Sequence, residues 1–392
     1  MNKITVALSL GVFGIITTEF GIIGTLPDIA AYYNISIDQT GSLISIFALI
    51  VAMAGPFMTL LMIDFDKKKV VQFVLGIFLF SNLLSVFSES FGSLLFARVL
   101  PAFVLPLYFS FGLTIATNSV GKGKAMKAVA TVYGGLSVAT IVGIPMSTYL
   151  SALNSWKASF YMMAIFNLVA LLIISVIVPS YADDREQRKK MPLNILKKSM
   201  LWVNILIVCL FSAGAFSVYS YFSEYLKGAF GMTGIQISSM LLLFGTTGVL
   251  GNWIAGVTLN KSITKTMTTY LCVMPFVFVA LQFAGGNLLF QIVLVAVWGF
   301  FHMAGFVIGQ AWISSAAPEA PEFANSLVVS TGNLGVALGA AIGGFVISNF
   351  GLIYILWAGI VLISLSGLVV LMSRLKSLSN EDGVKEKTKV LS

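Results

Sequence analysis

Long apolar stretches separated by short polar segments are the main pattern along this chain. Twelve such stretches can be counted, each about 20 residues or longer, which is the length a helix needs to cross a bilayer. They are too long and too uniformly apolar for the strands of a barrel, and open strands do not cross lipid. The predicted spans are 4–26, 40–62, 69–88, 92–116, 126–150, 158–178, 200–226, 235–258, 266–286, 288–311, 323–348 and 352–373.

Composition and charge support a membrane protein with many spans. Of the 392 residues, 58% are hydrophobic and 10% are charged, against about 25% charged residues in an average soluble domain. All but three of the 23 Lys and Arg residues fall on the side of the membrane that holds the N-terminus; the exceptions are Lys157, Lys227 and Arg98. The positive-inside rule then predicts that both termini are cytoplasmic. Because topology explains the net charge of +8, we do not expect nucleic acid as a partner.

The longest polar connection, residues 179–199, divides the twelve spans into six and six. We therefore predict an all-α membrane protein with two pseudo-symmetric six-helix bundles, at 1–178 and 200–373. The connection is the predicted cytoplasmic linker, and 374–392 is the predicted cytoplasmic tail. The first span contains a carboxylate and lacks a small-residue cleavage site, so we interpret it as a retained helix and not as a signal peptide.

Glu19, within the first span, is the most informative residue. A carboxylate inside a bilayer costs a few kcal/mol, so it is expected to face a partner, water or a ligand. Glu19 lies roughly 10 Å below the outer edge of the first span, and Arg98 lies roughly 9 Å below the same edge in the fourth span. Three interpretations stay open: Glu19 carries a proton, forms a static ion pair with Arg98, or is a tolerated misfit near the interface.

Several short motifs, each weak by itself, occur in an order that is specific. They are Thr18-Glu19-Phe20, Leu26-Pro27-Asp28, Gly55-Pro56, Ala97-Arg98-Val99, Gly143-Ile144-Pro145 and Asn333-Leu334-Gly335. With them, the chain resembles the major facilitator superfamily, and within it the bacterial twelve-helix drug/proton antiporter and sugar-efflux branch. The chain departs from the family at Leu60, which stands where the motif after span 2 has glycine. The glycine-rich signature of span 5 is also thinned, which leaves the direction of transport open.

The resemblance implies roles for individual residues. In the family, helices 1 and 4 line the central cavity, an acidic residue in span 1 often carries the proton, and the arginine of span 4 takes part in coupling. Proton coupling is thereby assigned to Glu19 and Arg98. A turn after span 2 clamps adjacent helices in the family, and small residues or prolines can serve as flexing or close-packing points. The residues assigned to gating are Asp64, Gly55, Pro56, Gly143 and Pro145.

Residues that contact the substrate are harder to predict, because pocket shape depends on side chains from many helices. Polar and aromatic side chains in or near the spans are the candidates, and those selected are Asn333, Gln310, His302, Tyr219 and Tyr221. Each type has a structural alternative. Amides form hydrogen bonds between helices, a lone histidine is often a packing residue, and tyrosines gather at the interface.

These observations predict a secondary active exporter and not an enzyme. The sequence has no nucleotide-binding motif, no nucleophile–base pair and no metal-ligand spacing, so we expect no cofactor and no resident metal. The expected partners are a small drug-like or amphipathic molecule, protons and membrane lipid. We expect a monomer in the bacterial inner (cytoplasmic) membrane. The alternative is a transporter or facilitator for the efflux of a sugar, a nucleoside or another polar metabolite.

Overall fold

The computed structural model describes residues 2–62, 64–121, 124–180, 195, 197–317 and 321–390. Within these ranges, the side chains of Pro56, Leu60 and Met126 and those of residues 321–326 and 374–390 are not described. Most of the predicted linker at 179–199 therefore lies outside the described residues. The side chain of Pro56, one of the predicted gating residues, also lies outside them.

The described chain is almost entirely helical. The first half contains α1 Lys3–Phe20, α2 Leu26–Tyr33, α3 Ile37–Met62, α4 Lys67–Val86, α5 Phe91–Asn118, α6 Ala125–Val138, α7 Ile144–Leu153 and α8 Trp156–Ile177. The second half contains α9 Ser199–Tyr219, α10 Phe222–Phe230, α11 Gly234–Lys261, α12 Ile263–Gln282, α13 Leu288–Ala316, α14 Pro321–Phe350 and α15 Ile355–Val390. The last helix continues past residue 373, where the sequence predicts that the final span ends.

Twelve segments of the described chain are long and apolar enough to cross a membrane, which confirms the predicted number of spans. Two spans are interrupted helices. A short 3₁₀ turn, Gly21–Gly24, follows α1 in the first span, and a π-helical turn, Ala139–Gly143, joins α6 to α7 in the fifth. Helix starts carry the expected caps, such as the reciprocal Ser90 and Ser93 bonds at the start of α5.

Hydrogen bonds identify the two ends of the bundle. At one end, the Asn2 side chain donates to the carbonyl of Ser119, 2.8 Å away, and Ser180 donates to the Asp66 carboxylate. At the other, Ser151 donates to the Asp28 carboxylate. We call these the termini end and the far end.

Two cores hold the bundle together, and one of them crosses between the halves. The first lies inside the first half, around buried residues of α1, α4 and α5. The second fills the second half and continues into the first half at the far end, through Ile22, Leu26 and Ile29 among others. Burial of apolar side chains therefore joins the halves most firmly at the far end.

Candidate functional site

Arg98 binds the backbone of α1 where that helix ends inside the bundle. Its Nη1 donates to the carbonyl of Thr18 at 2.6 Å, and its Nη2 donates to the carbonyl of Glu19 at 3.2 Å. The last carbonyls of an α-helix lack partners within the helix and carry partial negative charge. Because the chain turns into a 3₁₀ segment at Gly21, these carbonyls are available, and the guanidinium acts as a C-terminal cap for α1.

The surroundings of Arg98 are apolar and closed. The side chain is 1% exposed, and its guanidinium carbon lies 4.9 Å from the centre of the Phe47 ring in α3. The contact is a cation–π interaction, which gains strength when water is excluded. Arg98 thus ties α5 to α1 through hydrogen bonds and to α3 through an aromatic face.

Glu19 is close to Arg98, as its predicted depth implies, but the described contacts differ from a simple ion pair. The two charges interact electrostatically. Within the described part of the chain, however, the guanidinium is hydrogen-bonded to the carbonyls of Thr18 and Glu19 rather than to the Glu19 carboxylate. Glu19 is 8% exposed. The Glu19 carboxylate is therefore buried beside a guanidinium whose Nη1 and Nη2 atoms donate to backbone carbonyls.

The hydroxyl of Thr18 joins three spans one residue before Glu19. It donates to the carbonyl of Gly14 at 2.9 Å and accepts from the amide nitrogens of Asn82 at 3.1 Å and Asn167 at 3.0 Å. All three polar side chains are fully buried. The network uses the full hydrogen-bonding capacity of the hydroxyl group, one donor and two acceptor sites, and it holds the end of α1 against α4 and α8.

Aromatic contact connects this site to the second half. Phe20, next to Glu19, lies 6.0 Å from Phe216 of α9, measured between ring centroids. Phe216 in turn contacts Tyr219 at 5.7 Å and His302 of α13 at 5.1 Å. The structure therefore brings Glu19, Arg98, Tyr219 and His302 into one region. Their functional roles stay predictions.

Other predicted substrate contacts lie elsewhere. The Tyr221 hydroxyl donates to the carbonyl of Ala340 at 2.7 Å, and its ring packs on Gly41 of the first half, so Tyr221 belongs to the far-end contact between the halves. The Asn333 amide donates to the carbonyl of Val329 in its own helix, while its oxygen is buried and has no partner among the described residues. Gln310 is exposed. The described hydrogen bonds of Tyr221 and Asn333 thus run to backbone carbonyls of α14.

Pro145, a predicted gating residue of span 5, lies at a contact between the halves, whereas Gly143 packs on Thr17 of α1 within its own half. The Ser238 hydroxyl of α11 donates to the carbonyl of Pro145 at 2.7 Å. Two turns further along α11, Gly245 packs flat against the backbone of Thr140, within the π-helical turn that ends at Gly143. This close approach is open to glycine because a side chain at residue 245 would overlap that backbone. Span 5 thus meets span 8 through its far-end part.

The termini-end part of span 5 behaves differently. Helix α6 packs against α1 and α5 of its own half, whereas the π-helical turn and α7 pack against α11. Gly55, another predicted gating residue, packs on Pro106 of α5 within the first half. In the described conformation, the contact between spans 5 and 8 is therefore made on the far-end side.

The turn after span 2 requires a correction of detail. The resemblance favours Asp64 as the aspartate near a helix N-terminus, but Asp66 is the residue that caps α4, accepting from the backbone nitrogen of Lys69 at 3.0 Å. Asp66 also accepts from Ser180. Partial burial raises the pKa of Asp66, but the bonds from Ser180 and from the α4 backbone outweigh it and hold that pKa below the ordinary value. The gating role of Asp64 stays a prediction.

Sequence reasoning missed the residues that organise the site. Nothing in the sequence indicated the role of Thr18 beyond its place beside Glu19, because a threonine in an apolar helix does not by itself indicate a hydrogen-bond network. Asn82 and Asn167 were visible as intramembrane amides, and such groups are costly unless they have partners. Phe20 and Phe216 were hidden among 31 phenylalanines.

Twelve membrane-length helices with a buried carboxylate and guanidinium between them define an integral membrane protein with a polar site inside its bundle. The family model of the Major Facilitator Superfamily matches residues 8–322 and 220–392, and the chain belongs to this superfamily of transporters, a class distinct from enzymes. It is 31% identical over 377 residues to the inner membrane transport protein YdhP of Escherichia coli (strain K12), covering 96% of this chain and 97% of that protein. It is 28% identical over 360 residues to the MFS-type transporter YtbD of Bacillus subtilis (strain 168), covering 90% of each.

Solved structures share the fold at low sequence identity. A bacterial homologue of the human lysosomal transporter Spinster, in an inward-facing and unoccupied conformation, aligns with a TM-score of 0.76 at 14% identity, over 95% of this chain and 96% of that one. A mutant of the nucleoside transporter NupG aligns with a TM-score of 0.76 at 12% identity, over 95% and 98%. At these identities the similarity is one of fold, and it confirms the predicted all-α transporter architecture.

Proposed function

We propose that the protein exports a small drug-like or amphipathic compound in exchange for protons, by alternating access. The observation that carries this proposal is the arrangement at the end of α1. Arg98 donates to the carbonyls of Thr18 and Glu19, and the Glu19 side chain is left buried without that bond. The next residue, Phe20, contacts the opposite half. A proton site and a cargo surface are thus adjacent in the chain.

Glu19 is the proposed proton carrier. Burial favours the uncharged form of a carboxyl group, and a nearby cation favours the charged form. Because Arg98 is held by the backbone, its position is set by α1 and not by the charge state of Glu19. Changes in the hydration of the cavity can then load and unload the proton while the cation stays in place.

The proposed transport cycle uses the two halves as moving bodies. We assign residues 1–178 and 200–373 to these halves, joined by the linker 179–199. The positive-inside rule assigns the termini end to the cytoplasm. The described contacts of spans 5 and 8, at the far end, then correspond to a conformation closed to the outside. In the outward-open state those contacts separate, and Asp64 and Asp66 lie at the opposite gate.

A transport assay across compound classes tests the proposal. The purified protein is reconstituted in liposomes that contain the pH dye pyranine, and compounds are added one at a time. Ethidium and tetraphenylphosphonium represent lipophilic compounds, and arabinose and uridine represent polar metabolites. Proton release coupled to a lipophilic compound supports the proposal. Proton movement that is coupled only to arabinose or uridine supports the alternative, and so does uptake of labelled arabinose or uridine without proton movement. Uptake of labelled ethidium or tetraphenylphosphonium without proton movement contradicts the proposed exchange.

A further inference from the structure

His302 is enclosed by aromatic rings from three helices. Its ring centroid lies 4.5 Å from that of Tyr219, 5.1 Å from Phe216, 5.4 Å from Phe244 and 6.1 Å from Phe306. Tyr219 and Phe244 are themselves stacked, 4.9 Å apart and 14° from parallel. We call these five residues the aromatic box. It lies on the second-half side of the Phe20–Phe216 contact.

The two imidazole nitrogens of His302 are buried and have no hydrogen-bond partner in the described part of the chain. The residue as a whole is 2% exposed. A neutral imidazole has one donor and one acceptor, and leaving either unpaired inside a protein is destabilising. A phenylalanine in the same place would avoid this cost, so packing alone does not account for a histidine here.

Phe306 is the ring through which the box can open. It lies one turn after His302 on α13 and is 41% exposed, whereas Phe216 and Tyr219 are buried. Displacement of Phe306 would uncover the rings of His302, Tyr219 and Phe216, on which a flat molecule can stack.

We propose that the aromatic box is the cargo site and that it takes a neutral, planar aromatic or heteroaromatic compound with a hydrogen-bonding group directed at His302. This inference rests on the proposed transport function and specifies its substrate class. Aromatic walls favour stacking with a planar ring. They offer poor solvation to a sugar with many hydroxyl groups, each of which needs a partner when buried. A charged cargo would be buried among these rings without a partner charge in the aromatic box.

Binding of a matched pair of ligands tests this site. Carbostyril is a neutral, fluorescent bicyclic lactam with an N–H group, and N-methylcarbostyril lacks that donor. Both are titrated by fluorescence into the purified full-length protein in lipid nanodiscs, with equal pH on both sides. We expect carbostyril to bind the unmodified protein about tenfold more tightly than its N-methyl analogue, which is the effect of one lost hydrogen bond inside a protein.

Two variants of His302 separate a hydrogen bond from shape. His302→Phe fits the aromatic box without nitrogens, so we expect it to fold and to bind the two ligands with equal affinity. His302→Gln keeps a donor and an acceptor and should retain part of the preference for carbostyril. The control is Trp253→Phe, which alters an exposed ring of α11 and should keep the tenfold preference. Size-exclusion chromatography confirms that each variant is folded.

The outcomes decide the inference independently of proton coupling. No saturable binding of carbostyril, or the same preference in His302→Phe as in the unmodified protein, overturns the cargo site. The titration is repeated with Glu19→Gln, for which we expect unchanged preference. If the preference depends on His302 but no compound moves protons, the proposed exchange fails while the cargo site stands. If protons move with other compounds and carbostyril does not bind, the cargo site fails while the proposed exchange stands.

Discussion

The Nη1 atom of Arg98 lies 2.6 Å from the backbone carbonyl oxygen of Thr18, a residue 80 positions away in the chain. The bond attaches the fourth span to the end of a helix that stops inside the bundle. A guanidinium can reach two adjacent carbonyls because its donors are held in a planar fork. Arg98, which was expected to pair with Glu19, therefore caps the C-terminus of α1, the helix that contains Glu19.

Removal of this cap should destabilise the protein. Arg98→Met leaves the carbonyls of Thr18 and Glu19 without their charged donor, and we expect the free energy of unfolding to fall by about 1.5–3 kcal/mol. The stability of Arg98→Lys should lie between that of the unmodified protein and that of Arg98→Met, since an ammonium group lacks the planar fork. The measurement is unfolding in detergent followed by tryptophan fluorescence. Glu19→Gln is the control, because it keeps the Arg98 donors and their bonds to the carbonyls of Thr18 and Glu19. An Arg98→Met variant as stable as the unmodified protein would show that the cap has no energetic role.

The Thr18 hydroxyl should also contribute to stability. Thr18→Val keeps the shape of the side chain and removes the acceptor used by Asn82 and Asn167. Two buried amides then lose a partner, and we expect a loss of about 1–3 kcal/mol. The same unfolding assay applies. The control is Thr268→Val, because Thr268 is exposed and donates to the carbonyl of Thr264 in its own helix. Equal effects of the two substitutions would contradict the role of the network.

The sequence carries most of the fold and part of the site. Apolar segment lengths predicted the twelve spans, because a bilayer permits few other structures. Matching depths, together with the resemblance that places helices 1 and 4 around one cavity, predicted that Glu19 and Arg98 lie close together. Depth contains no information about the direction of a side chain, so the backbone carbonyls were not foreseen as the partners of Arg98.

Residues whose role depends on tertiary packing were harder to assign. Tyr221 was selected as an aromatic residue near the end of a span, but its position against Gly41 depends on how the two halves meet. Asp66 and Asp64 are both plausible helix caps from sequence, because they lie two residues apart in the same turn. The end of a helix is set within one or two residues by local geometry that a motif does not encode.

Gly245 permits the close contact between the halves, and a larger residue should separate them. In Gly245→Ala the added methyl group meets the backbone of Thr140, which has no rotamer by which to move away. We expect a wider far end, measured as a longer spin-label distance between cysteines at Glu89 and Leu288 in a background without native cysteines. Gly256→Ala, on the same helix but with open space around it, should leave the distance unchanged. If the spin-label distance is the same in Gly245→Ala and Gly256→Ala, the contact between Gly245 and Thr140 does not hold the far end closed.

The far-end contact should respond to pH through Glu224. The structure ends the seventh membrane-length segment at Tyr219, so Glu224, in the short helix α10, lies beyond it. Burial raises the pKa of Glu224 above its ordinary value of 4.5, Lys227 on the same helix lowers it, and Asp28 of the opposite half raises it. When the far end opens, Glu224 becomes hydrated and its pKa returns toward the ordinary value. Between the two values the closed form binds more protons, so the closed form is favoured as pH falls through that window and disfavoured above it.

The same pair of spin labels measures the pH dependence of closure. The measurement is made in a Glu19→Gln background, which removes the buried carboxylate of Glu19. We expect the short-distance population to grow as the pH falls toward the ordinary pKa of a carboxyl group. Glu224→Gln should hold that population near its acidic value at every pH. If the pH dependence is identical with and without Glu224, the contact with Asp28 does not regulate closure.

The most direct test of the account concerns Glu19 as the proton carrier. Proteoliposomes containing the unmodified protein or Glu19→Gln are compared in two assays with a compound that the unmodified protein moves: accumulation driven by a pH gradient, and exchange of labelled for unlabelled compound without any gradient. We predict that Glu19→Gln loses gradient-driven accumulation and keeps exchange, because the halves still alternate but no proton is carried. Gradient-driven accumulation by Glu19→Gln at the rate of the unmodified protein would contradict the central claim.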